Sequence, residues 1–414
     1  MRRTSKTIFI IFLQLFLISF SQVYDEKTLF ENWKQYTKPL TISESIVTIW
    51  DYGHNDYSAF SEAMGHALIF SVYFNDQTYF NSILNGLEKY FKKDNGLYRW
   101  MLSSDGFPPP DTEQHKSASE TELNVLVALL KASKKWPNQD IQIWDTQLNG
   151  YTTNNYNRIA DRLEENMWNN FVYTIDKYSI FLPAEKNYKD WPILNKQPKK
   201  IALALTYYNM AYLKFIASNY PNHNWKKVID DGYILLNQIL KDYTSYLFSD
   251  EPTTVNAPLP AWIIIEETSN GSTLVNYFKN TQDSWLVKNN EFDSYRIPFY
   301  VGMDGKDHRA LNLFKRYLSI TNVTKPEDAF VGAGNNPQDL RGWNSLDAIA
   351  SQGLVLKTLN DPRYNSFKER LSLNSKDMQT YFFSSSPIAK DISKKYYYNK
   401  TFVIYGYLMF NNKL

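Results

Sequence analysis

Acidic residues at three places in the chain are the candidates for catalysis. Glu62 stands at the start of one amphipathic segment, and the pair Glu120 and Glu122 at the start of another. Asp293 is followed three positions later by Arg296. Pairs of carboxyl groups can work as general acid and general base in hydrolysis. Carboxylates also stabilise the first turn of a helix through its dipole, so spacing alone leaves both interpretations open.

Composition narrows the class of partner. The chain has 31 Tyr, 25 Phe and 11 Trp, and sugar rings pack on aromatic faces, although a protein core uses the same residues. A nucleic-acid partner is not expected, because 45 Lys and Arg stand against 43 Asp and Glu. Cysteine is absent, which excludes a thiol nucleophile, a disulfide framework and a cysteine-ligated zinc site.

The first residues have the pattern of an export signal. Arg2, Arg3 and Lys6 precede a short apolar run, which small residues follow. This order predicts a secretory signal peptide over residues 1–21, cleaved near Ser21, and a secreted or periplasmic protein. An uncleaved anchor is the alternative, but the run is short for a membrane span, which needs ~20 apolar residues. No membrane association is expected for the mature chain.

Helical periodicity dominates the remainder of the chain, where apolar residues recur at steps of three and four. The segments with this pattern are Ala63–Phe74, Phe80–Phe91, Leu123–Trp136, Ile201–Ile216, Val228–Leu240, Ala310–Ile320 and Leu346–Leu359. Ser61, Asp76 and Ser119 are residue types that cap helix N-termini. No low-complexity linker divides the chain, so a single domain is expected over residues 22–414. Helical hairpins without a repeat motif favour a closed toroid over a solenoid.

Four sequence blocks stand in order along the chain, and they are Ser61–Gly65, Gly96–Trp100, Ala118–Trp136 and Phe292–Pro298. They resemble, in the same order, the motifs of glycoside hydrolase family 8, the bacterial endoglucanase family. The segment that begins at Tyr397 also resembles the family's C-terminal part. The resemblance implies an all-α fold, an (α/α)6 toroid or six-hairpin barrel, with a cleft formed by loops at one end.

The resemblance also implies an inverting endo-β-1,4-glycosidase. Glu62 would be the general acid and Asp293 the general base, with Arg296 helping to keep Asp293 ionised. Inversion needs carboxyl groups ~6.5–9.5 Å apart, so that a water molecule fits beside the sugar. The negative charge of Glu120 would raise the pKa of Glu62. This chemistry requires no metal and no organic cofactor.

The residues expected to bind substrate by the same resemblance are Glu120, Glu122, Trp100, Tyr207, Tyr295 and Arg296. The chain departs from the family pattern at several of its motifs. Glu120 and Glu122 stand where the family has Asp, and Ala63-Met64 replaces Gly-Gln. The family's Asn-Pro-Ser-Tyr segment has no clear counterpart near Tyr207. We therefore expect a divergent member whose activity is altered or weak.

Several interpretations remain open at this stage. Cellulose or another β-glucan is the first expected substrate, but the sequence does not separate cellulose from mixed-linkage glucan, xylan or chitosan, or endo from exo action. The expected partner is a polysaccharide or oligosaccharide, bound by a monomer. The alternatives from other classes are an inactive glycan-binding protein on the same scaffold, a polysaccharide lyase and a helical scaffold for protein partners.

Overall fold

The computed structural model describes most of the chain after the predicted signal peptide. The described residues are 25–35, 37–39, 47–51, 58–102, 116–186, 193–194, 200–247, 262–267, 273–276, 295–321, 323–329, 346–378 and 397–414.

Helices make up most of the described structure. They are α1 (Glu26–Lys34), α2 (Ser61–Phe74), α3 (Gln77–Gly86), α4 (Ser119–Lys135), α5 (Tyr156–Phe171), α6 (Met210–Asn219), α7 (Trp225–Leu247), α8 (Arg296–Met303), α9 (His308–Thr321), α10 (Leu346–Thr358), α11 (Tyr364–Arg370), α12 (Lys376–Met378) and α13 (Tyr397–Phe410). A π-helical turn, Leu87–Phe91, continues α3. The 3-10 turns are Leu205–Tyr207 and Pro326–Asp328.

Alternate helices of the described chain form a closed ring. Helix α2 packs on α4, α4 on α6, α6 on α8, α8 on α10 and α10 on α13, and α13 returns to α2. The helices between them pack outside this ring, with α1 and α3 on α2, α5 on α4, α7 on α6, α9 on α8 and α11 on α10. Each outer helix thus pairs with an inner one, and the predicted (α/α)6 toroid is confirmed.

Side-chain patterns explain which helices are inner and which are outer. The inner helix α2 is buried from Ser61 to Val72 without interruption, as expected of a helix that is surrounded by others. The outer helix α5 buries a single stripe that includes Ile159, Leu163 and Met167, at steps of four. Where α2 crosses α4, a Cβ atom at position 65 would lie 2.9 Å from Cβ of Asn124, so this close approach requires Gly65.

The predicted helix caps are correct in one case of three. Asp76 accepts a hydrogen bond from the backbone N–H of Tyr79 and caps α3. Ser61 and Ser119 are instead the first residues of α2 and α4, whose caps make no side-chain hydrogen bond. The Ser61 hydroxyl lies 2.8 Å from the Thr121 hydroxyl, so it links the starts of α2 and α4.

Short antiparallel strands, which the periodicity did not predict, connect the helices. They are β1 (Thr37–Pro39), β2 (Val47–Asp51), β3 (Ser58–Phe60), β4 (Met101–Leu102), β5 (Ile141–Asp145), β6 (Gly150–Asn154), β7 (Val172–Ile175), β8 (Tyr178–Phe181), β9 (Ile193–Leu194), β10 (Lys200–Ala204), β11 (Trp262–Glu267) and β12 (Thr273–Asn276). Two four-stranded sheets have the orders β1-β2-β3-β4 and β12-β11-β10-β9, and β5-β6 and β7-β8 are hairpins.

The helix predicted over Ile201–Ile216 is wrong in its first part. Ile201 to Ala204 belong to β10, with Ile201 opposite Ile265 and Leu203 opposite Ile263 of β11. A short apolar run fits a buried strand as well as a helix, and the β-branched residues of β11 supply the pairing partner. The helix begins only at Met210.

No helix in the described ranges is long and apolar enough to cross a membrane.

Candidate active site

Glu62 lies at the start of α2 and contacts two aromatic side chains. The indole N–H of Trp100 donates a hydrogen bond of 2.8 Å to its Oε2 atom. The hydroxyl of Tyr207 donates one of 3.0 Å to its Oε1 atom. Only 5% of the Glu62 surface is exposed, so the carboxyl group meets these donors in a largely water-free site.

Backbone pairing brings Trp100 beside the start of α2. In the sheet, Phe60 pairs with Met101, and the backbone N–H of Ser61 donates to the carbonyl of Trp100 over 3.0 Å. Tyr207 reaches the same carboxyl group from the 3-10 turn before α6. Three segments that are distant in sequence therefore meet at Glu62.

Glu120 occupies the start of α4, the inner helix next to α2. Arg296 donates a hydrogen bond from Nη1 to its Oε2 atom over 3.1 Å. The hydroxyl of Tyr300 donates a short hydrogen bond to its Oε1 atom. His66 Nε2 lies 3.8 Å from the same Oε1 atom. Both oxygens of this buried carboxylate are therefore held by groups from α8.

Burial and charge set the protonation states of this cluster. The pKa of Glu62 is raised to about 7, first by burial and second by the negative charge of Glu120. The charge of Arg296 and the hydrogen bonds from Trp100 and Tyr207 oppose this increase. Burial and the charge of Arg296 lower the pKa of His66 to about 3, so its ring is neutral.

Glu122 lies deeper than the other two glutamates. Its carboxyl group is 0% exposed, and its Oε1 atom accepts a hydrogen bond of 2.8 Å from the backbone N–H of Tyr98. Burial raises its pKa to about 8. The described structure thus places Glu122 behind the turn that contains Tyr98, where it supports that turn.

The predicted sugar-contacting aromatic residues differ in accessibility. Trp100 and Tyr207 are partly exposed beside Glu62. Tyr295 is only 3% exposed and packs edge-on against Phe402 at 5.2 Å. Its carbonyl accepts a hydrogen bond of 2.6 Å from the Ser351 hydroxyl. Trp100 and Tyr207 are therefore the more accessible candidates for stacking on a sugar.

Asp293, the predicted general base, lies outside the described residues. Its separation from Glu62 stays a prediction. Arg296, three residues later, contacts Glu120 and begins α8.

Sequence reasoning missed two residues that contact Glu120, Tyr300 and His66. Tyr300 lies one helical turn after Arg296, a spacing that puts both side chains on the same face of α8. His66 lies one turn after Glu62 on α2. The same reasoning did not single out Asp347 of another inner helix, α10, where it is the second residue and where burial raises its pKa to about 7. Acidic residues at the starts of apolar helices were the available signal.

One group of potential metal ligands occurs in the described part of the chain, formed by Glu164, Glu165 and His223. Glu164 Oε1 lies 2.8 Å from His223 Nδ1 and accepts a hydrogen bond of 2.6 Å from the Trp225 indole. Trp168 stacks on His223 with ring centroids 4.7 Å apart. These contacts account for the cluster as a packed, hydrogen-bonded group.

Comparison with protein families identifies the chain. The model of glycosyl hydrolases family 8 matches residues 10–386. Endoglucanase C from Ruminiclostridium cellulolyticum is 29% identical over 106 residues, which are 26% of this chain and 23% of that protein. The matched region thus spans less than a quarter of that relative's length.

Solved structures support the same fold. A β-1,3-1,4-glucanase from Paenibacillus sp. X4 superposes with a TM-score of 0.68 at 17% identity, covering 94% of this chain and 91% of that one. Rex8A from Paenibacillus barcinonensis, solved in complex with xylose, has a TM-score of 0.63 at 14% identity and covers 94% of both chains.

Proposed function

Because the chain belongs to family 8 of the glycosyl hydrolases, we propose that it cleaves β-1,4-linked polysaccharide with inversion, using Glu62 as general acid and Asp293 as general base. The observation that carries this proposal is the relationship between Glu62 and Glu120. A general acid must hold a proton before it reacts, and the raised pKa of about 7 keeps the buried Glu62 protonated below neutral pH.

In the proposed reaction, Glu62 transfers its proton to the glycosidic oxygen as the bond from that oxygen to the anomeric carbon breaks. A water oxygen attacks the anomeric carbon from the opposite face, and Asp293 accepts the proton of that water. The products are two sugar chains, one with an inverted anomeric hydroxyl. Solvent then returns a proton to Glu62 and removes one from Asp293, which restores both groups for the next cycle.

Glu120 supports this reaction through its fixed negative charge. Because Arg296 and Tyr300 hold both carboxylate oxygens, the charge stays beside the site while positive charge develops on the sugar ring. Trp100 and Tyr207 orient the Glu62 carboxyl group and present aromatic surface to the substrate.

A β-glucan is the first proposed substrate and xylan the second. The glucanase from Paenibacillus sp. X4 supports the first, and the xylose complex of Rex8A supports the second. An inactive glycan-binding protein remains the alternative function. It is favoured by one feature, the presence of Glu120 where the family motif has the shorter Asp.

The enzyme is further proposed to act outside the cytoplasm as a monomer. The basic and apolar pattern of residues 1–21 supports export. Expression of the full chain in a bacterial host, followed by mass measurement of the secreted or periplasmic product, tests cleavage near Ser21. Recovery of only full-length, cell-associated protein would contradict export. Light scattering of the purified protein measures its oligomeric state.

Incubation with cellulose, mixed-linkage glucan, xylan and chitosan tests the function directly. Release of reducing ends, with the inverted anomer appearing first by NMR, is the expected result. The Glu62→Gln variant, prepared identically, controls for contaminating activity. Binding without turnover would instead support the glycan-binding alternative. An unsaturated product that absorbs ultraviolet light would indicate a lyase and contradict the proposal.

A further inference from the structure

A second concave site lies apart from Glu62 and its partners. It is a groove of about 560 Å³ between the π-helical turn Leu87–Phe91, the turn before Trp100, the β5-β6 hairpin and helix α5. This volume is within the range of small-ligand sites, ~300–1,000 Å³. Glu62, Trp100 and Tyr207 do not line it, so the groove is distinct from the candidate active site.

The walls of the groove are held in place by buried contacts. Glu88, only 4% exposed, lies in the π-helical turn and accepts a hydrogen bond of 2.6 Å from the Tyr98 hydroxyl. It also contacts Lys92. Gly96 has a φ angle of 77° and lies so close to Asn166 that a Cβ atom would be 2.2 Å from the amide nitrogen. Single π-helical turns occur frequently at functional sites.

The hairpin supplies aromatic surface to this region. Trp144 lines the groove and is partly exposed. Tyr151 packs edge-on against Trp144 at 5.4 Å and keeps 50% of its surface exposed. Leu148, at the tip of the hairpin, is 70% exposed. Lys89 Nζ lies 4.4 Å from the centroid of the Trp144 ring, so the flat surface that this pair offers to a sugar ring is the remainder of Trp144 and the exposed Tyr151.

Polar side chains along the groove retain unused hydrogen-bond donors. Arg162 on α5 is exposed, donates through Nε to the carbonyl of Arg158, and has no carboxylate partner in the described chain. Asn166, one turn later, makes no side-chain hydrogen bond with described residues. Within the described ranges, the Asn95 side chain forms one hydrogen bond, in which Oδ1 accepts from the backbone N–H of Leu97. Planar groups of this kind form hydrogen bonds with ring hydroxyls.

The charges of the groove balance, which indicates a neutral ligand. Its charged lining residues are Glu88, Asp94, Asp145, Lys92, Lys93 and Arg162. Equal numbers of carboxylates and cations give no net attraction for an anionic polymer such as a nucleic acid. A neutral polyhydroxylated ligand can pack its rings on the aromatic surface and accept hydrogen bonds from the unused donors.

We propose that this groove is a second glycan-binding site, which takes a segment of a neutral β-linked polysaccharide while another part of the chain occupies the active site. The inference deepens the proposed function and rests on it for the identity of the polymer. Binding at two places on one chain makes the second contact intramolecular, which raises its effective concentration. The groove would thus increase affinity for long chains and leave short oligosaccharides unaffected in turnover.

Calorimetric titration of the full-length Glu62→Gln protein with cellotetraose and with xylotetraose tests this inference without turnover. Two classes of site are expected for one of these sugars. The added substitution Trp144→Ala should remove one class and leave the other. Arg162→Gln, at an exposed position, should weaken the same class at least five-fold even if Trp144→Ala fails to fold. Ile234→Ala, an exposed apolar residue outside the groove, is the matched control.

Kinetics on the otherwise unmodified protein provide the second measurement. For Trp144→Ala and Arg162→Gln, KM for the long polymer should rise roughly three- to ten-fold, with kcat on the tetrasaccharide unchanged. The second site would be refuted if calorimetry showed a single class of site in every protein. It would also be refuted if Trp144→Ala and Arg162→Gln had the same KM for the polymer as Ile234→Ala. Groove binding that Trp144→Ala removes, in a protein that cleaves no polysaccharide, would support the site and refute the proposed enzyme.

Discussion

Glu62 and Glu120 occupy the same position, the second residue, of the neighbouring inner helices α2 and α4, and the charge of Glu120 raises the pKa of Glu62. Their hydrogen-bond partners are unequal. Glu120 accepts hydrogen bonds from a guanidinium group and a phenol, whereas Glu62 accepts them from an indole and a phenol. Among the described residues, Glu120 accepts a hydrogen bond from a cation and Glu62 does not, so the shared site favours a proton on Glu62.

Substitution Glu62→Gln should abolish most turnover of unactivated substrates. General acid catalysis typically contributes ~100-fold or more, and glutamine has no acidic proton to donate. Binding of oligosaccharide should survive, because the amide has nearly the same shape. Kinetics measure turnover and calorimetry measures binding, and the substitution Glu165→Gln at an exposed position is the control. Undiminished hydrolysis by Glu62→Gln would remove Glu62 from the mechanism.

The value of kcat/KM should fall as the pH rises through about 7, because the proposed general acid Glu62 must be protonated to react. Glu120→Gln removes the nearby negative charge, so the pKa of Glu62 should fall and this basic limb should move to lower pH. At neutral pH, kcat/KM should decrease at least ~10-fold. Tyr300→Phe, which preserves the charge, is the matched control. If the fall in kcat/KM at high pH occurred at the same pH in Glu120→Gln, the electrostatic role of Glu120 would be contradicted.

Removal of the Tyr207 hydroxyl should have the opposite effect. Its hydrogen bond to Glu62 favours the ionised carboxylate, so Tyr207→Phe should raise the pKa of Glu62 and move the basic limb to higher pH. The neighbouring Tyr208→Phe is the control, because its hydroxyl accepts from the backbone N–H of Phe181 instead. If Tyr207→Phe and Tyr208→Phe had the same pH profile of kcat/KM, Tyr207 would have no effect on the pKa of Glu62.

Buried carboxyl groups should make the fold less stable as the pH rises. The pKa of Glu122 is about 8 in the folded chain and ordinary in the unfolded chain, so the unfolded state loses its proton first. The free energy of unfolding should therefore decrease between pH 5 and 8, by roughly 1–3 kcal/mol for this residue. Glu122→Gln should reduce that decrease, as followed by denaturant titration at both pH values. The exposed Glu165→Gln should leave it unchanged, and an identical decrease in both variants would exclude Glu122 as its source.

The sequence alone determined the helical class and most helix positions, and it led to the prediction that Glu62 and Glu120 belong to the catalytic site. These features are local, because the apolar period of a helix and an acid at its start are both visible within a short window. The same reasoning assigned Ile201–Ala204 to a helix, since a short apolar run does not reveal the strand, Trp262–Glu267, with which it pairs.

Only the tertiary structure decided what surrounds each acid. Glu62 and Tyr207 are 145 positions apart, and Glu120 and Tyr300 are 180 positions apart, yet each pair forms a hydrogen bond. Closure of the inner helices into a ring brings these positions together and removes water from them. Packing also sets the pKa values of Glu62 and Glu122, because desolvation and neighbouring charge act on a buried carboxyl group.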